Sequence, residues 1–526
     1  MSIPSALPAS ISVQTGEEFD LLVVGGGING VGIARDAVGR GLRVLLCEQH
    51  DLAQHTSSSS TKLIHGGLRY LEYYEFSLVR KALQEREVLL KNAPHIISPL
   101  RFVMPHAAEQ RPAWMIRCGL FLYDHLAKRE ILPGSQGIRL DQHVAGKPLK
   151  GNYKRGFVYS DGWVDDARLV VLNALDAHER GARILTRTRC VQAQREASAQ
   201  GERWRARLQK EDGSQVEITA RAIVNAAGPW AAQFAGLANS GAKGYGLRLI
   251  KGSHIVVPRM FEHEYAYIFQ NPDQRIIFAI PYQNDYTLIG TTDLEYQGDP
   301  GQVQIDDDEI AYLCEMASRY FQQQVKRSDV VWTYSGVRPL LDDNTENASA
   351  VTRDYLLELK NEQQQAPLLN VWGGKITTYR KLSEEAMAIL LPCLQLNKPN
   401  WTDCAPLPGG DLQQAGKLVE TYDFAAFLRT FQQQYAFLPA VLARRLASNY
   451  GTRAARFLNS ATKLADLGQE LVPGLYEVEA RYLLQVEWAR SAEDMLWRRS
   501  KLGLQCSAEQ IAQLQRWIEQ QLPAAA

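Results

Sequence analysis

Phe19 to Val24 is an apolar, branched run, as expected of a parallel strand covered on both faces. Gly25, Gly27 and Gly30 follow at once. Then Ile28, Val31, Ile33, Ala34, Ala37 and Val38 mark a mostly apolar helix that stops at Gly39 and Gly41. A second strand, Arg43 to Cys47, ends in Glu48. Residues 74–92 carry Phe76, Val79, Leu83, Val88 and Leu89 among charges, the pattern of an amphipathic helix. Gly156 to Asp166 reads as strand and turn, and Arg168 to Glu179 as a helix ending at Gly181. The stretch from Ala182 to Val191 reads as strand, and 203–219 as a hairpin turning at Asp212-Gly213. Ala222 to Gly228 is a further buried strand, with Pro229 and Trp230 opening the next helix.

The rhythm then changes. Between 244 and 300 short runs alternate apolar and polar positions: LRLIKGSHIVVP, YAYIFQ, RIIFAIPY, YTLIGTTD. That pattern predicts antiparallel sheet. A helix at 306–324 and a strand at 330–341 follow, and Arg353 and Asp354 fall in the next hairpin. Leu368 to Trp372 is a short strand meeting Gly373-Gly374, after which Thr377 or Thr378 caps a helix. A Pro- and Gly-rich stretch, 399–411, reads as a linker, and the pattern beyond it is helical to Leu522. The predicted class is α/β plus α+β: a Rossmann-type domain at 18–95, 156–236 and 350–390, an antiparallel substrate or cap domain at 96–155 and 237–349, and a helical domain at 400–526.

Composition narrows this picture. The 526 residues are 45% hydrophobic and 22% charged with zero formal net charge, so nothing points to nucleic acid. Seven cysteines without a CxxC argue against a disulfide framework or a metal cluster and suggest a reducing compartment. Residues 1–17 read as a loose tail and not a signal peptide, and no apolar stretch is long enough to cross a bilayer. Residues 111–129 mix Trp114, Met115, Leu120, Phe121, Leu122 and Tyr123 with Arg111, Arg117, Lys128 and Arg129. A core helix is the favoured reading of that segment, with an interfacial membrane helix as the alternative.

The glycine spacing carries chemistry. In G-x-G-x-x-G the first glycine permits a tight turn, the second lets backbone approach a pyrophosphate, and the third lets helix pack on strand. Glu48, 18 residues past Gly30, stands where a carboxylate can accept an adenosine ribose's hydroxyls. The Thr56–Thr61 hydroxyl cluster and Gly66-Gly67 suit a pyrophosphate or a flavin edge better than a flexible linker, because the tightly patterned LIHGGLRYLE follows. Arg69 and Tyr70 could then point into a cleft. Gly228 can bring backbone close to a cofactor. Gly374 and Lys375 repeat the device of glycines before a helix N-terminus, which would stabilise negative charge on a reduced flavin.

GGGINGVGIARDAVGRG, SSSSTKLIHGGLRYLE, DGWVDDARL, NAAGPW, LIKGSHIVVP, IGTTD, YSGVRP, TRDY and GGKITTYRKL together resemble the respiratory, FAD-dependent glycerol-3-phosphate dehydrogenases over residues 19–505. The resemblance implies a fold like glutathione reductase and D-amino-acid oxidase, with FAD as cofactor. It implies oxidation of sn-glycerol 3-phosphate to dihydroxyacetone phosphate and transfer of electrons to a membrane quinone. It also implies a peripheral or monotopic association with the cytoplasmic face of the inner membrane; the helical C-terminal domain reads as a packing or dimerisation unit, so a homodimer is expected, and no metal site is. Carried over by position, the substrate residues are Arg69, Tyr70, His254, Arg338, Arg353 and Lys375, of which Arg69, His254, Arg338 and Lys375 are expected to be catalytic. His254 is the candidate base. The FAD contacts implied are Gly25, Gly27, Ile28, Asn29, Gly30, Glu48, Thr56, Ser57, Ser58, Thr61, Lys62, Leu63, Gly66, Gly67, Val191, Ala227, Gly228, Gly374, Lys375, Ile376, Thr377 and Thr378. Two alternatives compete: an oxidase that delivers the electrons to O2, and a flavin-bound scaffold without turnover.

Overall fold

The first apolar run becomes strand Glu17–Val24, paired in parallel with Gln215–Asn225 on one side and Val44–Cys47 on the other. Leu368–Trp372 and Arg183–Leu185 extend the parallel array at its two sides. These relations come from a computed structural model that describes residues 13–522, apart from 108–110, 152, 200, 239–246, 272, 274, 342–353, 362–364 and 413–421. Most of the expected tail, the loop at 342–349 and part of the helical stretch at 413–421 therefore lie outside the described residues.

The parallel strands are apolar throughout because both faces are covered. Leu21 and Val23 pack with helices Ile28–Gly39, Asp166–Glu179 and Tyr379–Cys393 through Val31, Ala34, Leu172, Leu382 and Met387. Leu22 and Leu45 face the other way, onto Trp204, Leu208 and Phe234. Each such buried side chain contributes about 1.5–3 kcal/mol, so this layer is the rigid platform from which the glycine turn projects.

The second sheet is built mainly on strand Leu247–Pro258, antiparallel to Trp332–Leu341 and to Tyr286–Gly290. It continues through Ile276–Tyr282, Ala266–Gln270, Ile97–His106 and Arg155–Val164 to the short strand Leu63–Ile64. One expected boundary moves. Residues 156–164, assigned from their pattern to the Rossmann half, form a strand antiparallel to Ile97–His106 in the second sheet. Neighbours on both edges and cover on both faces bury nearly all of that strand, so its pattern imitates a parallel one.

Two further expectations change. Helix Ala113–His125 is not a core helix: it buries only Leu120 and Tyr123, while Trp114 is 67% and Phe121 56% exposed, with Met115 and Leu122 also standing out. Among the described residues, no helix is long and apolar enough to cross a membrane. The stretch at 399–411 is not a free linker. Trp401 packs on Gly39 and donates to the Asp36 carbonyl at 3.1 Å, and Arg40 donates to the Lys398 carbonyl and to Asn400.

The C-terminal domain has its own core, from Phe427 and Leu446 to Leu483, Leu496 and Ile518. Among the described residues it is helical except for a small hairpin, Glu470–Val472 with Leu475–Tyr476. A π-helical turn, Asp494–Arg499, faces the Rossmann half. Ion pairs join the two: Arg168 with Glu487 and Arg498 and Arg499 with Asp51 are buried, and Arg453 with Glu179 lies nearer the surface.

Candidate active site

Gly25 ends the first strand with φ of +114°, and a Cβ there would overlap the Ala226 carbonyl oxygen. A Cβ on Gly30 would overlap the carbonyl oxygen of Gly25. Neither position admits a side chain unless backbone moves. Gly27 N-caps the helix without a side-chain cap, leaving that helix end to an electron-rich ligand. Ser57 Oγ accepts the Ile28 N–H at 3.0 Å. The buried Glu48 carboxylate accepts the N–H of Gly26 at 2.6 Å and of His50 at 2.8 Å. Burial raises its pKa above the ordinary carboxylate value, and those hydrogen bonds oppose the rise. Its remaining lone pairs are open to hydroxyls. Around these groups lies a cavity of about 130 Å³, lined by Gly25, Gly27, Glu48, Thr56, Ser57 and, opposite, Ala227 and Gly228. Val191 is not in the wall; its neighbours Thr188, Arg189 and Cys190 are.

A second cavity, of about 300 Å³, shares Thr56 and Ser57 with the first and is bounded by strands of the second sheet and by loops and helix ends of the Rossmann half. Five of the six expected substrate residues line it: Arg69, Tyr70, His254, Arg338 and Lys375. Arg353 lies outside the described residues. Ile28, Thr61, Leu63, Gly67, Gly374, Ile376 and Thr377 complete its wall on the expected cofactor side. Arg69 and Tyr70 ride on the 3-10 turn Leu68–Tyr73, and Lys375 precedes the turn Ile376–Thr378. His254 and Arg338 come from adjacent antiparallel strands, on positions of the same parity in register.

The side chains are close and charged. Lys375 Nζ sits 3.8 Å above the Tyr70 ring. Arg338 pairs with Asp293 at 2.8 Å. The His254 ring stacks flat on Tyr334, centroids 4.7 Å apart, and its Nε2 lies 3.0 Å from Thr61 Oγ1. Burial holds its pKa well below the ordinary imidazole value, and the charges of Lys62 and Arg338 push the same way. The ring is therefore neutral at pH 7 and can take a proton. His254 Nδ1 and Arg69 Nε are buried without a hydrogen-bond partner among the described residues. Buried polar atoms of this kind cost about 1–3 kcal/mol each unless a ligand completes them.

Other expected residues stand behind the walls. Asn29 donates to the Gly373 carbonyl at 3.1 Å, and its Oδ1 is a further buried orphan beside Gly374. Lys62 is fully buried, paired with Asp166 at 2.9 Å, bonded to the Ser58 carbonyl and 4.7 Å from the Tyr334 ring. Gly66 gives its N–H to Tyr123 at 2.8 Å, and Thr378 is buried at the head of its helix. The sequence reading missed His65, Asp161 and Asp293 on the wall, and Tyr334 behind His254. For His65 a signal existed, a titratable residue directly before Gly66-Gly67; the others have no spacing that marks them.

The glycine cradle, the orphaned Asn29 oxygen and two cavities joined at Thr56–Ser57 fit an elongated flavin dinucleotide. Relatives agree. The model for FAD-dependent oxidoreductases of the DAO type matches residues 20–379, and that for the C-terminal domain of alpha-glycerophosphate oxidase matches 400–520. The chain is 55% identical to a glycerol-3-phosphate dehydrogenase of Pseudomonas aeruginosa, over 97% of each. It is 51% identical to the aerobic glycerol-3-phosphate dehydrogenase of Escherichia coli, over 95% of this chain and 97% of that one. It is also 48% identical to a D-erythritol 1-phosphate dehydrogenase of Brucella abortus, over 96% and 98%. The solved glycerol-3-phosphate dehydrogenase of Bacillus halodurans, complexed with FAD, superposes with a TM-score of 0.73 at 26% identity, covering 97% of this chain and 95% of that one. An L-alpha-glycerophosphate oxidase of Mycoplasma pneumoniae shares the fold at a TM-score of 0.58 and 18% identity, over 74% of this chain and 99% of its own. By sequence over its full length and by fold, the chain belongs to the FAD-dependent glycerol-3-phosphate dehydrogenases.

Proposed function

We propose that the dehydrogenase activity resides in the 300 Å³ cavity, where sn-glycerol 3-phosphate is oxidised to dihydroxyacetone phosphate. The observation that carries this reading is the convergence of Arg69, Arg338 and Lys375 on one cavity wall with a neutral imidazole, His254. A phosphate near two negative charges needs several cations, and guanidinium groups offer two parallel donors to its oxygens. His254 takes the C2 hydroxyl proton; its stack on Tyr334 and the contact with Thr61 fix the ring for that transfer. Bound FAD supplies the two-electron acceptor for the hydride that leaves C2. Asp293 holds Arg338 so that the guanidinium stays at the wall when no phosphate is present. Anaerobic addition of glycerol 3-phosphate should bleach the flavin absorbance with one equivalent per site. Unchanged absorbance would end this reading.

We further propose that the electrons leave to a quinone at a membrane surface. Trp114, Met115, Phe121 and Leu122 form an exposed apolar face on helix Ala113–His125, with Arg117 and Lys128 beside it. Apolar residues flanked by cations are suited to the headgroup boundary of anionic lipid. Reversing the charges of Arg117 and Lys128 should shift protein from vesicles of anionic lipid to the supernatant; unchanged partition would place the contact elsewhere. One observation favours a second reading, O2 as acceptor: the C-terminal match is to a domain of alpha-glycerophosphate oxidase. An oxygen electrode separates the two, since an oxidase consumes O2 without added quinone.

A further inference from the structure

Asp51 lies three residues past Glu48, in the 48–57 segment that walls the first cavity. Its carboxylate is fully buried, and its partners come from the far end of the chain. Arg498 Nε donates to Oδ2 at 2.7 Å; Arg499 donates to Oδ2 at 2.6 Å and to Oδ1 at 2.8 Å. Arg499 is itself fully buried, and its other bonds go to the Glu487 carbonyl. Arg498 also grips Asp494 and Glu493. A second tie runs beside the first: Arg187 gives its backbone N–H to the His50 carbonyl at 2.8 Å and its guanidinium to Asp494 at 2.6 Å. Segment 48–57 is thus anchored at Asp51 and His50 to the π-helical turn Asp494–Arg499.

We infer that Arg498 and Arg499 are positioning residues for FAD: through Asp51 they hold segment 48–57 in the shape that seats the cofactor, so the C-terminal domain locks the flavin in place. This rests on the reading of the Gly25–Glu48 cavity as the adenosine end of the FAD site. Docking the two domains does not require this cluster. Arg168 with Glu487 and Arg453 with Glu179 already cross the same interface without touching the segment. Concentrating two guanidinium groups on one buried carboxylate is an expensive way to gain stability, because desolvation offsets most of the attraction. What such an arrangement does well is fix position, and the position fixed here is that of a cavity wall.

The test measures FAD binding and melting on purified holoenzyme and on apoprotein stripped of FAD. In Arg499→Lys, FAD should dissociate about tenfold faster and bind about tenfold more weakly, read from the fluorescence of released flavin. The gap between holo and apo melting temperatures should shrink, because a ligand stabilises in proportion to its affinity. Arg453→Lys, at the same interface but remote from the segment, should lower both melting temperatures together and leave FAD affinity unchanged. If Arg499→Lys does not fold, Asp51→Asn, which keeps the size and removes the charge, should loosen FAD in the same way. The lock is overturned if both folded variants retain wild-type FAD affinity and an unchanged holo–apo gap while Glu48→Gln weakens FAD. If Glu48→Gln also leaves the affinity unchanged, the assignment of the seat fails with it.

Discussion

The cofactor seat and the substrate cavity meet at Thr56 and Ser57 yet are made in opposite ways. The seat is largely backbone: glycines with no room for a Cβ, a helix end whose N-cap is a glycine, and a carboxylate that itself braces backbone N–H groups. Half of its wall comes from residues 24–57, and Cys190, Ala227 and their neighbours close the far side. The cavity is side chains: Arg69, His254, Arg338 and Lys375 arrive from four segments spread over some three hundred residues. A backbone-built site fails when something is added, and a side-chain-built site fails when something is removed.

Substitutions can break or sharpen that contrast. The largest effect is expected at His254→Ala, where kcat should fall by on the order of 10² to 10⁴ while FAD stays bound. In the wild type the acid limb of the pH–rate profile should lie below ~6.5, because burial and nearby cations hold the imidazole neutral. Near-normal turnover in the variant would strip the ring of its role as base. Gly30→Ala should do the reverse: about a hundredfold weaker FAD binding from one methyl against the Gly25 carbonyl, measured by flavin fluorescence. Full flavin content would show that the seat tolerates addition. Arg338→Ala should raise KM for glycerol 3-phosphate about 10- to 100-fold and KM for glycerol far less. It also uncovers Asp293, whose charge then repels the phosphate, so Asp293→Asn in the same protein should recover part of the loss. Equal effects on both substrates would show that Arg338 does not read the phosphate.

The smallest effect lies outside both halves. His95 is fully buried with neither ring nitrogen hydrogen-bonded among the described residues, and burial, with Arg168, pushes its pKa down to about 3. The unfolded chain takes up a proton below ~6.5 that the native state refuses. Stability is thus intact above that pH and falls as pH drops, by up to about 1.4 kcal/mol per unit. His95→Leu should flatten that slope in urea melts while FAD affinity and KM stay as they were. A slope equal to wild type would mean that other groups dominate acid unfolding.

Backbone-built parts are also the legible parts. Gly25, Gly27, Gly30 and Glu48 announce themselves by spacing, and at Gly25 and Gly30 steric exclusion is the reason, since a Cβ would strike backbone. The pattern of strand Arg155–Val164 points to the wrong sheet because burial on both faces looks the same in either. Helix Ala113–His125 reads as a core helix because its sequence is as apolar as one; only the three-dimensional arrangement leaves Trp114 and Phe121 uncovered. Asp161, Asp293 and Tyr334 enter the site by tertiary pairing, to Arg86, to Arg338 and to His254, and no local pattern encodes such partners. His254 and Arg338 were found only through their resemblance to a family, since a lone histidine in a strand carries no signal of its own.

The bond between Asp51 and Arg499 spans 448 positions. A ribosome releases the glycine turn hundreds of residues before the second anchor of its wall. The pocket's own walls, which reach Thr377, are all made well before that anchor, so a nascent chain passes through a stage with a shaped but untethered flavin pocket. Tight capture of the cofactor becomes a post-translational event, completed only when the final helical segment docks.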